Sequence, residues 1–306
     1  MRRQFNIGFQ VALLAIIGLQ TSPLRAKEVP SLVSTEVLLT SAAGHKLAVM
    51  DPVQFSSDNT RAGVAQVQID PLMTRQTVTG IGTSFTESSA FVLAHLPGPA
   101  RRSVMAQLFS DQGANFSLAR TTIGATDFSV EGKYDYAPVA DDLDLQHFSI
   151  AEDRLGFDPA RYPGVIAPDF DLLPMIDEAL TIKQGQADSS LRIIASAWTA
   201  PPWMKDIAGY YQPGTAENNY QGTGGQLKPG YESVYADYLL RYLDAYAAAG
   251  VPIWGLTPVN EPEGNSGQWE SMHFTAEGQA RFIQDHLGPK LQASAHAETK
   301  LLIFDQ

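Results

Sequence analysis

No cysteine occurs anywhere in the 306 residues. That excludes disulfides, thiolate metal sites, a cysteine nucleophile and lipid attachment at an N-terminal cysteine. Basic residues are in the minority, with 21 Lys and Arg against 33 Asp and Glu, for a net charge of −12. Binding a phosphate backbone needs clustered Lys and Arg, so nucleic acid is not expected as a main partner. The six histidines show no metal-ligand spacing, and neither a metal nor an organic cofactor is expected. A complete G-x-G-x-x-G fingerprint is missing as well. Gly80-Ile81-Gly82 is only a fragment of one.

Long apolar runs are equally scarce. The one at the N-terminus, Ile7–Leu19, is broken by Gln10 and is too short to span a bilayer comfortably. Arg2 and Arg3 precede it, and Ala26 supplies a small residue before a cleavage point. Residues 1–26 therefore read as a signal peptide of an exported, bacterial-type protein, with a membrane anchor as the alternative. The remainder has no candidate membrane span. At 44% hydrophobic and 18% charged, it has the composition of a globular protein with a sizeable core.

Residues 27–75 are turn-rich and strand-like. Ala65–Ile69 alternates polar and apolar positions, the period of a half-buried strand. This stretch is expected to be an N-terminal β segment of a side domain. From residue 76 the pattern changes. Short apolar runs at Thr77–Phe85, Phe116–Arg120, Leu191–Trp198, Pro252–Val259 and Lys300–Phe304 alternate with helical stripes. Leu173, Ile176 and Leu180 form one stripe; Tyr235, Tyr238, Leu239 and Tyr242 form another; Ala276, Ala280, Ile283 and Leu287 form a third. Strands alternating with amphipathic helices imply βαβ units and a parallel sheet.

Two parallel architectures compete, an open doubly wound sheet and a closed (β/α)8 barrel. Polar or aromatic residues stand at the end of every run: Glu87, Asp127, Trp198, Asn260-Glu261 and Asp305. Functional groups at many strand ends favour the barrel, whose βα loops all open on one face. Glu87 and Asp305 read equally well as capping or turn residues. Five of eight strands are counted, so 76–306 is expected to form an incomplete barrel with an exposed sheet edge.

Asn260-Glu261-Pro262 after an apolar strand carries the chemistry. Glycoside hydrolysis needs two carboxyl groups flanking the scissile bond, one to protonate the leaving oxygen. In retaining enzymes the other attacks the anomeric carbon, and the pair stand roughly 5 Å apart. A glutamate at a barrel mouth, beside an asparagine able to bind a sugar hydroxyl, meets the acid's requirements.

On these residues the chain resembles glycoside hydrolase family 30, the glucosylceramidase family. Four further segments carry the resemblance in order: Thr79–Glu87, Ser117–Arg120 with Thr126–Ser129, Ala197–Lys205, and Trp269–Ser271 with Phe274–Glu277 and Asp285–Pro289. The resemblance implies a retaining β-glucosidic hydrolase of TIM-barrel fold. Glu261 would be its general acid/base. Asn260 would bind the 2-hydroxyl, Asp127 the distal hydroxyls, and Trp198 would line the same subsite with an apolar face and one N–H donor. Arg120 would stand by the catalytic carboxylates and keep the nucleophile ionised. Trp269 would either contact the aglycone or pack its loop.

The family nucleophile is a glutamate on the seventh strand, beyond the fifth strand at which this sequence stops. No nucleophile is therefore expected within the chain. Glu263 and Glu270 share the Glu261 loop and cannot easily face it, and Asp305 is the remaining geometric candidate. The substrate would be a β-glucoside, a glycolipid or a β-glucan. An endo-β-1,6-glucanase, a xylan-active enzyme and a catalytically dead sugar-binding remnant are the alternatives.

Overall fold

A computed structural model describes residues 34–54, 63, 65–130, 132–264 and 267–305. The signal-peptide assignment to residues 1–26 lies outside them. Among the described residues, no helix is long and apolar enough to cross a membrane. The chain divides into two units between Thr74 and Arg75.

In the first unit, β1 (Ser34–Leu39) and β2 (Ala48–Gln54) pair antiparallel, with a register irregularity between Thr35 and Val37. The connecting turn is closed by Ser41 N–H donating to His45 O (3.1 Å). The alternating segment Ala65–Ile69 is not a strand, and Val67 and Ile69 are exposed. Alternation offers one apolar face, but a strand also needs a partner for its backbone groups, and no described strand lies beside this one.

The second unit is a parallel α/β array. β3 (Gly82–Phe85) leads through α1 (Glu87–Ala94) and α2 (Gly98–Phe109) to β4 (Leu118–Ile123). A long loop and α3 (Leu172–Gln184) lead to β5 (Arg192–Ala197), and α4 (Glu232–Ala248) leads to β6 (Gly255–Thr257). A helix running through α5 (Ala276–Phe282), a π segment (Ile283–Leu287) and α6 (Gly288–Ala293) leads to β7 (Lys300–Leu301). The five strands pair in chain order, all parallel. This is the strand–helix repeat of a TIM-type barrel, incomplete at five strands. Among the described residues β3 and β7 each keep one unpaired edge. Val78 and Ile81 near the first, and Ile303 and Phe304 near the second, are exposed.

All five expected strands form, mostly shorter than their apolar runs. In the first, a Cβ on Gly82 would stand 1.7 Å from Leu118 O, so only glycine allows β3 to approach β4 there. Register then sorts the faces. Arg120 aligns with Ser84 and Ile194, and Thr122 aligns with Ser196. Residues two apart share a face, so Ser84, Arg120, Thr122 and Ser196 lie on one side of the sheet. The other side carries Phe85, Ala119, Ile193 and Ala195, all buried. It packs on the helices, as shown by Phe85 stacked on Phe109 of α2 at 5.4 Å.

The helices start where the side chains satisfy free N–H groups. Thr86 accepts from Ser89 N, Asp171 from Leu172 N and Thr275 from Gly278 N, each at an N-cap position. The apolar stripe of α4 is buried as its spacing predicts, and so are Leu173 and Ile176 of α3, with Leu180 half-buried. The third stripe runs through a π turn, in which Gly288 N–H donates to Ile283 O, five residues back. Leu287 is fully buried and Ile283 half-buried, but Ala276 and Ala280 are exposed, and Gln279 and Phe282 are the buried residues of α5 instead.

Candidate active site

Parallel register brings the carboxyl ends of the strands to one rim, and the expected site residues meet there. Arg120, Asp127, Phe128, Trp198, Asn260, Glu261, Trp269 and Asp305 line one cavity of about 380 Å³. Hydrogen bonds place most of them.

The loop after β4 is shaped by its own hydroxyls. Phe128 N–H donates to Thr126 Oγ1 (3.0 Å), and Thr126 N–H donates to Ser129 Oγ (2.9 Å). The loop is tied to the start of α1: Val130 N–H donates to Glu87 Oε2 (2.5 Å), and Ser88 donates through both N–H and Oγ to Phe128 O. Glu87 is thus a buried residue in the first turn of α1, holding the loop that presents Asp127 and Phe128. It does not line the cavity.

Trp198 follows β5 directly and is almost completely buried. Its Nε1–H donates to Asp127 Oδ1 (3.0 Å). The N–H expected to serve a sugar is therefore committed to Asp127, and the cavity receives the apolar part of the ring. The guanidinium of Arg120 lies over that ring at 4.5 Å, a cation–π contact.

Asn260 and Glu261 extend β6 between its two neighbours. Asn260 N–H donates to Ala197 O (2.6 Å), and Glu261 N–H donates to Asp305 O (2.8 Å). Glu261 has φ 45°, the left-handed region that a non-glycine residue rarely occupies. Such strain persists where surroundings over-determine it, and here Gly264 N–H also closes onto Glu261 O (2.8 Å). Among the described residues the Glu261 carboxyl has no hydrogen-bond donor. Asn260 is buried, whereas Glu261 is half-buried and Asp127 exposed.

Arg120 is the hub. Its Nε donates to Ser196 Oγ (3.1 Å), and its Nη2 donates to Asn260 Oδ1 (2.6 Å) and Asp305 Oδ2 (2.5 Å). Ser196 Oγ–H also donates to Asp305 Oδ2 (2.6 Å). One Asp305 oxygen thus carries two donors, which opposes its use as a nucleophile. Glu263 is exposed in the Glu261 loop, while Glu270 is buried.

Sequence reasoning missed Ser196 and Phe128. A small polar residue inside a buried strand is the only sequence signal for Ser196. It also missed Lys205, a buried lysine whose Nζ donates to Tyr210 O (2.7 Å) and Ser271 O (2.9 Å). Burial lowers its pKa to about 7, opposed by Asp206 and Glu270. Lys205 fastens the loop that carries Trp269 to the loop after β5. A larger cavity, about 740 Å³, adjoins the site along the unpaired edge of β3 and shares Arg120, Phe128 and Trp198 with it. No carboxylate lines it, whereas Asp127, Glu261 and Asp305 line the smaller cavity.

Comparison with known proteins agrees with this fold. The profile of the glycosyl hydrolase family 30 TIM-barrel domain matches residues 78–306. Putative glucosylceramidase 1 of Caenorhabditis elegans is 32% identical over 259 residues, covering 83% of this chain and 44% of that protein. Endo-1,6-beta-D-glucanase neg1 of Aspergillus fumigatus is 27% identical over 303 residues, covering 97% of this chain and 58% of the other. The solved structure of the endo-beta1,6-glucanase BT3312 superposes with a TM-score of 0.62 at 28% identity, covering 86% of this chain and 50% of that one. The chain spans about half the length of the curated relatives it matches.

Proposed function

The chain belongs to glycosyl hydrolase family 30, and from that premise we propose that it carries the acid/base side of a retaining β-glucosidic hydrolase, with Glu261 as proton donor. One observation carries the reading: Asp127, Trp198, Asn260 and Glu261, from three different strand ends, line a single cavity. In this reading the carboxyl of Glu261 protonates the departing glycosidic oxygen, then takes a proton from the incoming water. Asn260 binds the 2-hydroxyl. Asp127 accepts from distal hydroxyls with the capacity that Trp198 leaves free. The buried Trp198 ring gives the sugar's C–H face an apolar wall. Metal and cofactor are not required by this chemistry, because carboxyl groups and water carry both steps.

The acid role has a specific test. Aryl β-glucosides differing in leaving-group pKa are assayed with the full-length protein, nucleophile strand included, and with its Glu261→Ala variant. General acid catalysis is worth about 10²–10⁴-fold. Hydrolysis of the phenyl glucoside should fall by that order, while the dinitrophenyl glucoside, which leaves without protonation, should lose far less in its glycosylation step. Equal losses on both would remove Glu261 from the acid role.

A β-glucoside or glycolipid is the leading substrate class. Endo-β-1,6-glucan cleavage is the second reading, favoured by the match to an endo-1,6-glucanase along almost the whole chain. Trp269 on the cavity wall supplies an aromatic platform for either aglycone. Turnover of gentio-oligosaccharides without turnover of glucosylceramide would select the second reading. Export of the protein is part of the same proposal, and N-terminal sequencing of secreted material tests it.

A further inference from the structure

Resting on the reading of Asn260 as a sugar-hydroxyl ligand, we propose that Ser196 and Asp305 are positioning residues of that subsite, acting on Asn260 through Arg120. Arginine has five N–H donors and no acceptor. The amide atom that meets Arg120 Nη2 at 2.6 Å must therefore be Asn260 Oδ1, since an NH2 there would set donor against donor. The reverse side of that amide is Nδ2, a donor. The pairing fixes Asn260 as a residue that offers N–H, not C=O, to the cavity it lines.

This holds only if the guanidinium cannot turn. It is restrained on three sides, by Ser196 Oγ at Nε, by Asp305 Oδ2 at Nη2, and by the Trp198 face. Ser196 can serve both neighbours at once, accepting from Arg120 while donating to Asp305, because a hydroxyl is both donor and acceptor. Ser196 is fully buried, so it reaches a ligand only through other residues. The Arg120 and Asp305 side chains are 31% and 24% exposed, and partial screening limits what their charge attraction contributes to stability. Orientation is then the main product of the cluster: a hydrogen-bond donor held ready costs a bound sugar no reorganisation.

The test compares affinities of the full chain for methyl β-D-glucopyranoside and its 2-deoxy counterpart, measured by ligand-observed NMR. A hydrogen bond to a pre-set donor corresponds to roughly a five- to tenfold preference for the glucoside. Ser196→Ala and Asp305→Ala should each bring the ratio close to one. Ser196→Thr and Asp305→Asn, which keep the hydroxyl and an acceptor oxygen, should restore it. A purely structural role would weaken both sugars together and leave the ratio where it was. Thermal unfolding of each variant identifies folded protein, and if Ser196→Ala fails to fold, the Asp305→Ala and Asp305→Asn pair decides. An unchanged ratio in a folded alanine variant overturns the proposal. A ratio near one in the unaltered protein, or no binding of either sugar, overturns instead the reading of Asn260 as a ligand.

Discussion

Two clusters of this chain set carboxylates among aromatic rings, one open and one sealed. In the open one, Asp127, Glu261 and Asp305 line a cavity with Trp198 and Trp269, and a cation, Arg120, ties Asp305 in. In the sealed one, Asp153 is fully buried in the loop between β4 and α3. It accepts from Tyr136 (2.8 and 3.0 Å), Tyr246 (2.5 Å) and Tyr134 (3.2 Å). Tyr238 and Tyr242 of α4 stack on Tyr136 around it. No described cation bonds Asp153, and burial pushes its pKa up to about 7, against the lowering effect of the tyrosine hydroxyls. The residue types are alike, but the uses differ. Access to solvent, a charged partner and placement at the strand ends make the first cluster fit to handle a ligand. The second fastens a long loop to α4.

The comparison can be broken at several points, taken from the largest expected effect downward. In the full-length protein, nucleophile strand included, Glu261→Gln should reduce turnover of a poor-leaving-group β-glucoside by about 10²–10⁴-fold while shifting stability by no more than about 0.5 kcal/mol, read by denaturant titration. Asp153→Ala should reverse that profile. It leaves three buried tyrosine hydroxyls without their acceptor, at about 1–3 kcal/mol each before relaxation, so a loss of about 3–5 kcal/mol in the same titration is expected. A variant that lost neither activity nor stability would erase the contrast.

A pH experiment sharpens it. The folded-state pKa of Asp153 is raised, so the folded form holds its proton more tightly than the unfolded form. Its contribution is fully present below about pH 4 and is lost as the pH climbs to and through about 7, amounting to about 4 kcal/mol at most. Urea titrations from pH 4 to 8 should show a falling component that Asp153→Asn flattens. A pH dependence identical in the two proteins would contradict the assignment. Tyr246→Phe removes one hydroxyl of the three and should cost about 1 kcal/mol. At the bottom of the scale, Asp177→Asn breaks the half-exposed pair with Arg154 and should change stability by under about 0.5 kcal/mol.

Much of the fold was legible before any coordinates. Five apolar runs became five parallel strands, because short apolar runs alternating with helical patterns build βαβ units. The stripe of α4 became a buried face and that of α3 nearly so, whereas the third failed at Ala276 and Ala280, which are exposed while Gln279 and Phe282 are buried instead. Ala65–Ile69 misled, since periodicity describes one strand and pairing requires two. In the site, Asn260-Glu261-Pro262, Asp127 and Trp198 were visible as strand-end residues, while their mutual bonds were not. The Trp198 N–H looked available for a sugar and is instead given to Asp127. Glu87 read equally well as a functional strand-end group or as a cap, and it secures the Asp127 loop from the first turn of α1. Asp153, with no motif around it, offered no signal at all.

Local order in the chain determined the strand and helix types, the caps at Thr86, Asp171 and Thr275, and the identity of the acid candidate at a strand end. Those depend on neighbours within a few residues, where periodicity and capping act. Tertiary structure alone decided that Arg120 meets Ser196, Asn260 and Asp305, which stand 76 to 185 residues away along the chain. It also decided which carboxylate is open and which is sealed. Such pairings follow from strand register and from how a loop packs on a distant helix, and those are properties of the assembled sheet, absent from any short stretch of residues.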